Sequence, residues 1–303
     1  MSFTSIVKNE LSKLEIDKIE AITELSAILR NNAVIDKNIK ISTENASVAR
    51  HIFKLFKDLY DISFKITVRQ GYNYNKNYIY ILETNKNMDI IKDLDLNDIV
   101  PSDYIVGDDT LKRAYIRGLF IASGSINDPK KSRYHLEIIV DNLEYANYIN
   151  DLLNSYYLNS KVIRRDNRFM IYIKEAEKIG DFLRMIGAIN ALLYYEDIRI
   201  YRDHKNMTNR INNCEQANVD KIIMTASNQV NDIELIREKA GLELLDDKCQ
   251  LAALYRLKYQ EVSLTELSEI MTVETGNSIT KSGLHHRFNK IKMLANRLRE
   301  KDK

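Results

Sequence analysis

Residues 116–124 read IRGLFIASG, the close of a longer apolar run, LKRAYIRGLFIAS, at 111–123. The spacing of its apolar positions predicts a helix over Leu111–Ser123. Gly118 and Ala122 stand four apart and so lie on one face of it. Glycine inside a helix costs about 1 kcal/mol relative to alanine. Its presence suits a place where a second helix backbone comes close; the plainer reading is a helix that merely contains a glycine. Ninety-one residues earlier, ITELSAILRNN (22–32) aligns with this run. Asn32 falls on Ser123, Ala27 on Gly118 and Asn31 on Ala122. Two such faces, one per copy, suit a helix pair between two halves.

The repeat extends outward from these helices. Glu44-Asn45-Ala46-Ser47-Val48-Ala49, continuing through Ile52 and Leu55, matches Asp141-Asn142-Leu143-Glu144-Tyr145-Ala146, continuing through Ile149 and Leu152, at an offset of 97. Each copy has apolar residues three and four apart, the helical period. An extended stretch follows each. Phe64, Ile66 and Val68 alternate with Lys65, Thr67 and Arg69, predicting a strand with one wet face. KVIRR (161–165) leads into FMIYIK, and Tyr78–Leu82 and Tyr134–Val140 read as further strands. Each half therefore reads helix, strands, helix, strands, helix. The fold class expected is α+β, a duplicated pseudo-dimer with repeats at about 17–100 and 107–190 inside a domain of residues 1–190.

Beyond it, no glycine or proline occurs between Gly187 and Gly241, so a long helix is expected, with 191–232 as the connection. Residues 233–303 read as a compact helical domain. Leu242–Tyr259 is one expected helix. Ser263 and Glu266 frame SLTELSEIM (263–271) as a capping box. TVETGNSI is then a polar turn, and a last helix begins near Thr280 with the stripe Leu284, Phe288, Ile291, Leu294 and Leu298. The overall net charge of +2 conceals an asymmetry: the last 23 residues carry eight bases and two acids, whereas residues 1–198 carry 27 bases and 28 acids. A neutral body with a basic end is the footprint of a polyanion-binding tail or of a solvated helix end. No apolar run approaches the roughly 18 residues of a membrane span, and the N-terminus lacks a signal-peptide stretch. Cys214 and Cys249, 35 positions apart, form no CxxC site, which points to reduced thiols in a cytoplasmic protein.

IRGLFIASG resembles the LAGLIDADG motif in length and small-residue pattern, and LSAILRNNA (25–33) resembles a worn first copy. The resemblance implies two motif helices packed at a pseudo-dimer interface, each delivering one acid to a divalent metal over DNA. The corresponding positions here are Asn32 and Ser123, which carry no charge. Hard Mg²⁺ prefers carboxylate oxygens, so cleavage chemistry and metal binding are expected to be lost, with no cofactor. Asp36 and Asp128 lie just beyond and read as turn acids or as a displaced metal site. The family's sheets form a saddle for DNA, a role open here to Lys65, Thr67, Arg69, Lys161, Arg164 and Arg165.

The short helix, turn and basic helix follow helix-turn-helix grammar. Lys281, Ser282, His285, His286, Arg287, Asn289 and Lys290 are placed on the outward side of the second helix, with Ser263 and Thr280 at the helix starts. Arg287 and Asn289 suit base edges; Ser282 and the lysines suit phosphates. The two histidines read either as base contacts or as solvated groups. A double LAGLIDADG-like region followed by a helix-turn-helix resembles the WhiA family, most specifically in NRINNCEQAN (209–218), SLTELSEIM and SITKSGLHHRFNKI (278–291). The resemblance implies a non-catalytic, nucleoid-associated, duplex-DNA-binding regulator linked to transcription, sporulation, cell division and chromosome segregation. A protein partner for the first domain or the connecting helix is also open. The alternatives are a metal-dependent endonuclease, an RNA-binding maturase-like protein and a protein-interaction module.

Overall fold

In the computed structural model, residues 2–70, 78–131 and 133–300 are described. The chain divides into two units at Asp203/His204. In the first, α1 (Phe3–Leu11) precedes the duplicated frame. The first repeat contains α2 (Lys18–Asn32), β1 (Ala33–Ile35), β2 (Asn38–Thr43), α3 (Ala46–Tyr60), β3 (Lys65–Gln70) and β4 (Tyr78–Asn85). Two short helices, α4 (Met88–Asp93) and α5 (Asp103–Val106), lead to the second. There, α6 (Asp109–Ser123), β5 (Gly124–Ile126), β6 (Leu136–Val140), α7 (Leu143–Ser155), β7 (Lys161–Arg165) and β8 (Arg168–Ile173) run in the same order, followed by α8 (Ala176–Met185).

The two sheets have equivalent antiparallel orders, β1-β2-β4-β3 and β5-β6-β8-β7. The duplication reaches the caps. Asp17 and its counterpart Asp108 start α2 and α6 by accepting from Glu20 N and Leu111 N, both at 2.8 Å. Asn45 and Asn142 start α3 and α7, each taking two amides, at 2.8 and 3.2 Å. A side-chain oxygen at the N-cap satisfies amides that have no partner inside the helix.

Both motif helices are buried along most of their length, and the core continues over the inner faces of both sheets. A Cβ added at Gly118 would lie 2.3 Å from the Glu24 carbonyl oxygen of α2. Only hydrogen fits there, so the two backbones meet at the position the sequence singled out. Ala27 is fully buried, and Asn31 donates from Nδ2 to Ile139 O of the other half at 3.3 Å. Ala122 is half-buried.

Two strand expectations need correction. Strand β3 is exposed on both faces, Ile66 and Val68 included, because β3 is an edge strand whose helix-side face is not covered. Arg164 pairs with Phe169, which pairs with buried Val140, so it shares the helix side of its sheet. It leaves the saddle, because neighbours along a strand point to opposite faces.

Helix α9 (Ile189–Lys239) runs through the division of the chain. Ile233 and Ile236 near its end belong to the second core, together with α10 (Asp247–Lys258), α11 (Leu264–Thr275) and α12 (Lys281–Glu300). The helix expected over Leu242–Tyr259 is broken: a 3₁₀ turn at Leu242–Leu244 precedes α10, and Asp246 caps the new start by accepting from Cys249 N at 2.8 Å. The first half of TVETGNSI is helical too. α11 runs on to Thr275 and stops at Gly276, whose φ of 69° is the left-handed conformation glycine tolerates.

Candidate nucleic-acid interface

The second core presents α12. Its start is set by the turn before it: Thr272 Oγ1 accepts from Ile279 N at 3.1 Å, and Thr280 Oγ1 accepts from Gly283 N at 3.1 Å. Ser263 forms the capping box with Glu266, with Ser263 N donating to Oε2 at 2.7 Å and Ser263 Oγ accepting from Glu266 N at 3.2 Å. The Ser263 amide, and then its hydroxyl, hold the Glu266 carboxyl below the usual range. The side-chain oxygens of Ser263 and Thr280 therefore already serve the fold as caps.

One stripe of α12 is buried: Leu284, Phe288, Ile291 and Ala295. Opposite it, Ser282, His286, Asn289 and Met293 recur at helical spacing and are exposed, with Lys281 and His285 exposed beside them. Arg287 departs from its expected place. It is half-buried on the flank of Leu284 and Ile291, and its carbonyl lies 3.9 Å from Cys249 Sγ of α10. Lys290 is exposed, and its ammonium pairs with Asp246 at 3.3 Å. Cys249 and this ammonium hold the Asp246 carboxyl below its ordinary range. A solvent-exposed pair contributes about 0–1 kcal/mol, so a phosphate can compete for Lys290.

The sequence reading omitted Met293 and Arg297, both exposed; the 282–286–289–293 spacing was the signal for Met293. It also omitted Arg256, which is buried with no carboxylate partner among the described residues. Its Nη1 donates to Tyr259 O and Val262 O at 3.2 and 2.8 Å, and its guanidinium lies over the Phe288 ring. It thus ties the end of α10 and the entry to α11 to the helix that carries the candidate surface. The charge-bearing end of α12 is anchored by Arg299, which donates to Asp232 of α9 at 2.7 Å.

The sheet saddle is less uniform. Register places Lys65, Thr67 and Arg69 on one uncovered face with Lys40, Glu83, Ile79 and Ile81. Lys161 and Arg165 share the corresponding face of the second sheet with Ile163, Met170 and Glu137. Glu137 takes Arg165 at 3.7 Å and His135 at 3.2 Å. Cations, acids and apolar groups alternate there.

At the tips of the motif helices, Asn32 Nδ2 donates to Ser42 O at 3.0 Å, while Ser123 Oγ is buried with no partner among the described residues. Asp36 lies in the β1–β2 turn, and Asp128 accepts from Lys130 N at 2.9 Å. Among the described residues no group of three or more His, Cys, Asp or Glu gathers to hold a metal. An uncharged amide and a hydroxyl supply none of the carboxylate charge that usually holds a hard divalent cation.

Family models for the WhiA N-terminal LAGLIDADG-like domain, the WhiA LAGLIDADG-like domain and the WhiA C-terminal HTH domain match residues 18–97, 112–205 and 208–295. The chain belongs to the WhiA family. A "Probable cell division protein WhiA" from Staphylococcus epidermidis is 43% identical, covering 99% of this chain and 98% of that one. One from Lactiplantibacillus plantarum is 42% identical, covering 99% of both. The crystal structure of full-length DUF199/WhiA from Thermatoga maritima matches with a TM-score of 0.60 at 27% identity, over 98% of this chain and 99% of that one. The WhiA match supports the α+β pseudo-dimer followed by a helix-turn-helix region. The 208–295 match also takes in NRINNCEQAN on α9, where Asn209, Asn212, Asn213 and Asn218 are all exposed. Among the described residues no helix is long and apolar enough to cross a membrane.

Proposed function

We propose that this chain is a non-catalytic regulator that binds double-stranded DNA in the nucleoid through α12, and that it acts in transcription, cell division and chromosome segregation, with sporulation as the corresponding setting in spore-forming relatives. The observation that carries the reading is the exposed face Ser282–His286–Asn289, raised on a capped, closely packed helix and flanked by Lys281 and Lys290. Asparagine suits a bidentate adenine contact in the major groove, and the lysines and serine suit phosphates. Similarity to proteins named as probable cell division proteins supports the cellular setting. The uncharged tips Asn32 and Ser123 favour binding over cleavage. Arg287 acts from the flank and contributes less than its neighbours, while the mixed saddle is secondary, open to DNA or to a protein partner.

His286→Ala and Asn289→Ala together should weaken binding to a selected duplex about 10- to 100-fold, one lost good contact being worth roughly 1–3 kcal/mol. Lys281→Ala should instead lower affinity for all sequences and flatten the dependence of log affinity on log salt by about one unit. Gel shifts across a salt series and chromatin mapping of wild type against the double variant measure both. Retained sequence preference in the double variant removes α12 as the reading helix. Strand nicking by the wild type in Mg²⁺ or Mn²⁺ would replace the proposal with an endonuclease.

A further inference from the structure

A cavity of about 880 Å³ opens beside the tip of α2. Its walls include Asn32, Ser42 and Arg50, and Thr4 and Lys8 of α1, the helix that precedes the duplicated frame and has no counterpart in the second repeat. The Lys8 ammonium lies 5.8 Å from the centre of the Phe120 ring, and no carboxylate pairs with it among the described residues. Arg50 likewise has no carboxylate partner there; its Nη2 donates to Ser47 Oγ at 3.5 Å. Burial pushes the Lys8 amine down to about 8. Exposed Glu44 is the one acid on the described lining. The α3 amides of Ser47 and Val48 are already taken by Asn45, so the cations, rather than the helix end, make this place attractive to an anion. On the other side of the same tip, next to the start of α7, a smaller cavity of about 350 Å³ carries Asp98 and Asp141, and its Arg30 is occupied by the carbonyls of Asp95 and Asp98. Among the described residues, the two sides of the tip are thus electrostatically unequal, with cations that lack a carboxylate partner on the larger cavity's side.

We propose that the Lys8–Arg50 cavity is a phosphate-binding site, separate from α12. A half-buried ammonium without a counter-ion weakens the fold, and a bound phosphate supplies the missing negative charge. No aromatic ring lines the described wall, so recognition falls on the phosphate rather than on a stacked base. The phosphate comes either from a free polyphosphate or from a DNA backbone.

The test uses the full chain and labelled pyrophosphate at fixed ionic strength. Wild type should bind saturably and its Tm should rise with ligand concentration. Lys8→Met and Arg50→Ala should each lower affinity at least about tenfold (roughly 1.4 kcal/mol per decade), and Lys8→Met should also raise the Tm of the ligand-free protein. The sign of the pH effect follows from the lowered amine. Between about pH 8 and 10 the unfolded chain holds a proton on Lys8 that the folded chain has released, so stability rises with pH in wild type and stays flatter in Lys8→Met. Displacement of pyrophosphate by a random duplex, unaffected by His286→Ala, identifies a DNA backbone as the source; retention identifies a free anion. Absence of saturable binding, or equal affinity in wild type and both variants, overturns the proposal.

Discussion

Arg117→Met should cost the α+β unit about 3–5 kcal/mol, the range for removing one partner of a buried ion pair. Arg117, on α6, points into the motif-helix interface, where its Nε donates to Glu24 Oε2 of α2 at 2.5 Å and its Nη2 reaches Glu20 Oε1 at 3.5 Å. The other Glu24 oxygen meets His51 of α3. Glu24 is 0% exposed and Arg117 6%. Methionine fills most of the volume but leaves the Glu24 carboxylate in the core with only the imidazole beside it. The loss is chiefly the cost of an orphaned charge, so removing that charge as well should recover most of it. Arg117→Met with Glu24→Gln should therefore be more stable than Arg117→Met alone. Urea denaturation of the four proteins of this cycle measures the coupling. A single-variant loss below about 1 kcal/mol would mean that water reaches the pair and that it is not part of the interface core.

Much of the first unit could be read from the sequence because duplication leaves a signal that context does not erase. The offsets of 91 and 97 reappear in the structure as paired N-caps, Asp17 with Asp108 and Asn45 with Asn142, and as equivalent sheet orders. Gly118 was legible because glycine inside an apolar helix costs stability that a close neighbour would justify, and the Glu24 carbonyl decides for that reading over a helix that merely contains a glycine. The Glu24–Arg117–His51 cluster was not: a glutamate and an arginine on helices ordinarily read as surface residues, and only tertiary packing shows them facing each other. Arg164 illustrates a different failure. Three cations in KVIRR look like one patch, yet strand parity sends Arg164 away from Lys161 and Arg165. In the second unit, Thr272, Val273 and Thr275 lowered the apparent helicity of TVET. Their backbone is nonetheless helical, with the Thr272 and Thr275 hydroxyls donating to the carbonyls four residues earlier, and Gly276 ends the helix. At the candidate site, composition located the basic helix, and the spacing of Leu284, Phe288 and Ile291 marked its apolar stripe, which Ala295 completes in the fold. That stripe turns Arg287 to the flank and brings Met293 into line with Ser282, His286 and Asn289.

Gly118→Val should be harsher than loss of the ion pair and should prevent the two motif helices from docking. Even the first added carbon would sit 2.3 Å from Glu24 O and 3.0 Å from both Glu24 C and Glu24 Cα. Overpacking against side chains typically costs 1–3 kcal/mol because rotamers can give way. Here the obstacle is backbone, and it belongs to the residue whose carboxylate Arg117 holds. Separating the helices by an ångström would loosen the apolar contacts along their length and pull Arg117 from Glu24 together. Gly118→Ala, despite the higher helix propensity of alanine, should still lose more than about 3 kcal/mol, while Ala27→Gly on the partner helix should lose only about 1–2. Hydrogen exchange over 18–32 and 109–123 and the Tm of the full chain distinguish these outcomes. If Gly118→Ala stays within 1 kcal/mol of wild type, close approach of the helices is not what requires glycine. If it collapses while Asn32→Ala and Ser123→Ala are tolerated, the interior of the motif serves to join the halves and its tips carry no comparable structural role, so the packing of the helix pair and the chemistry of its tips are physically separable.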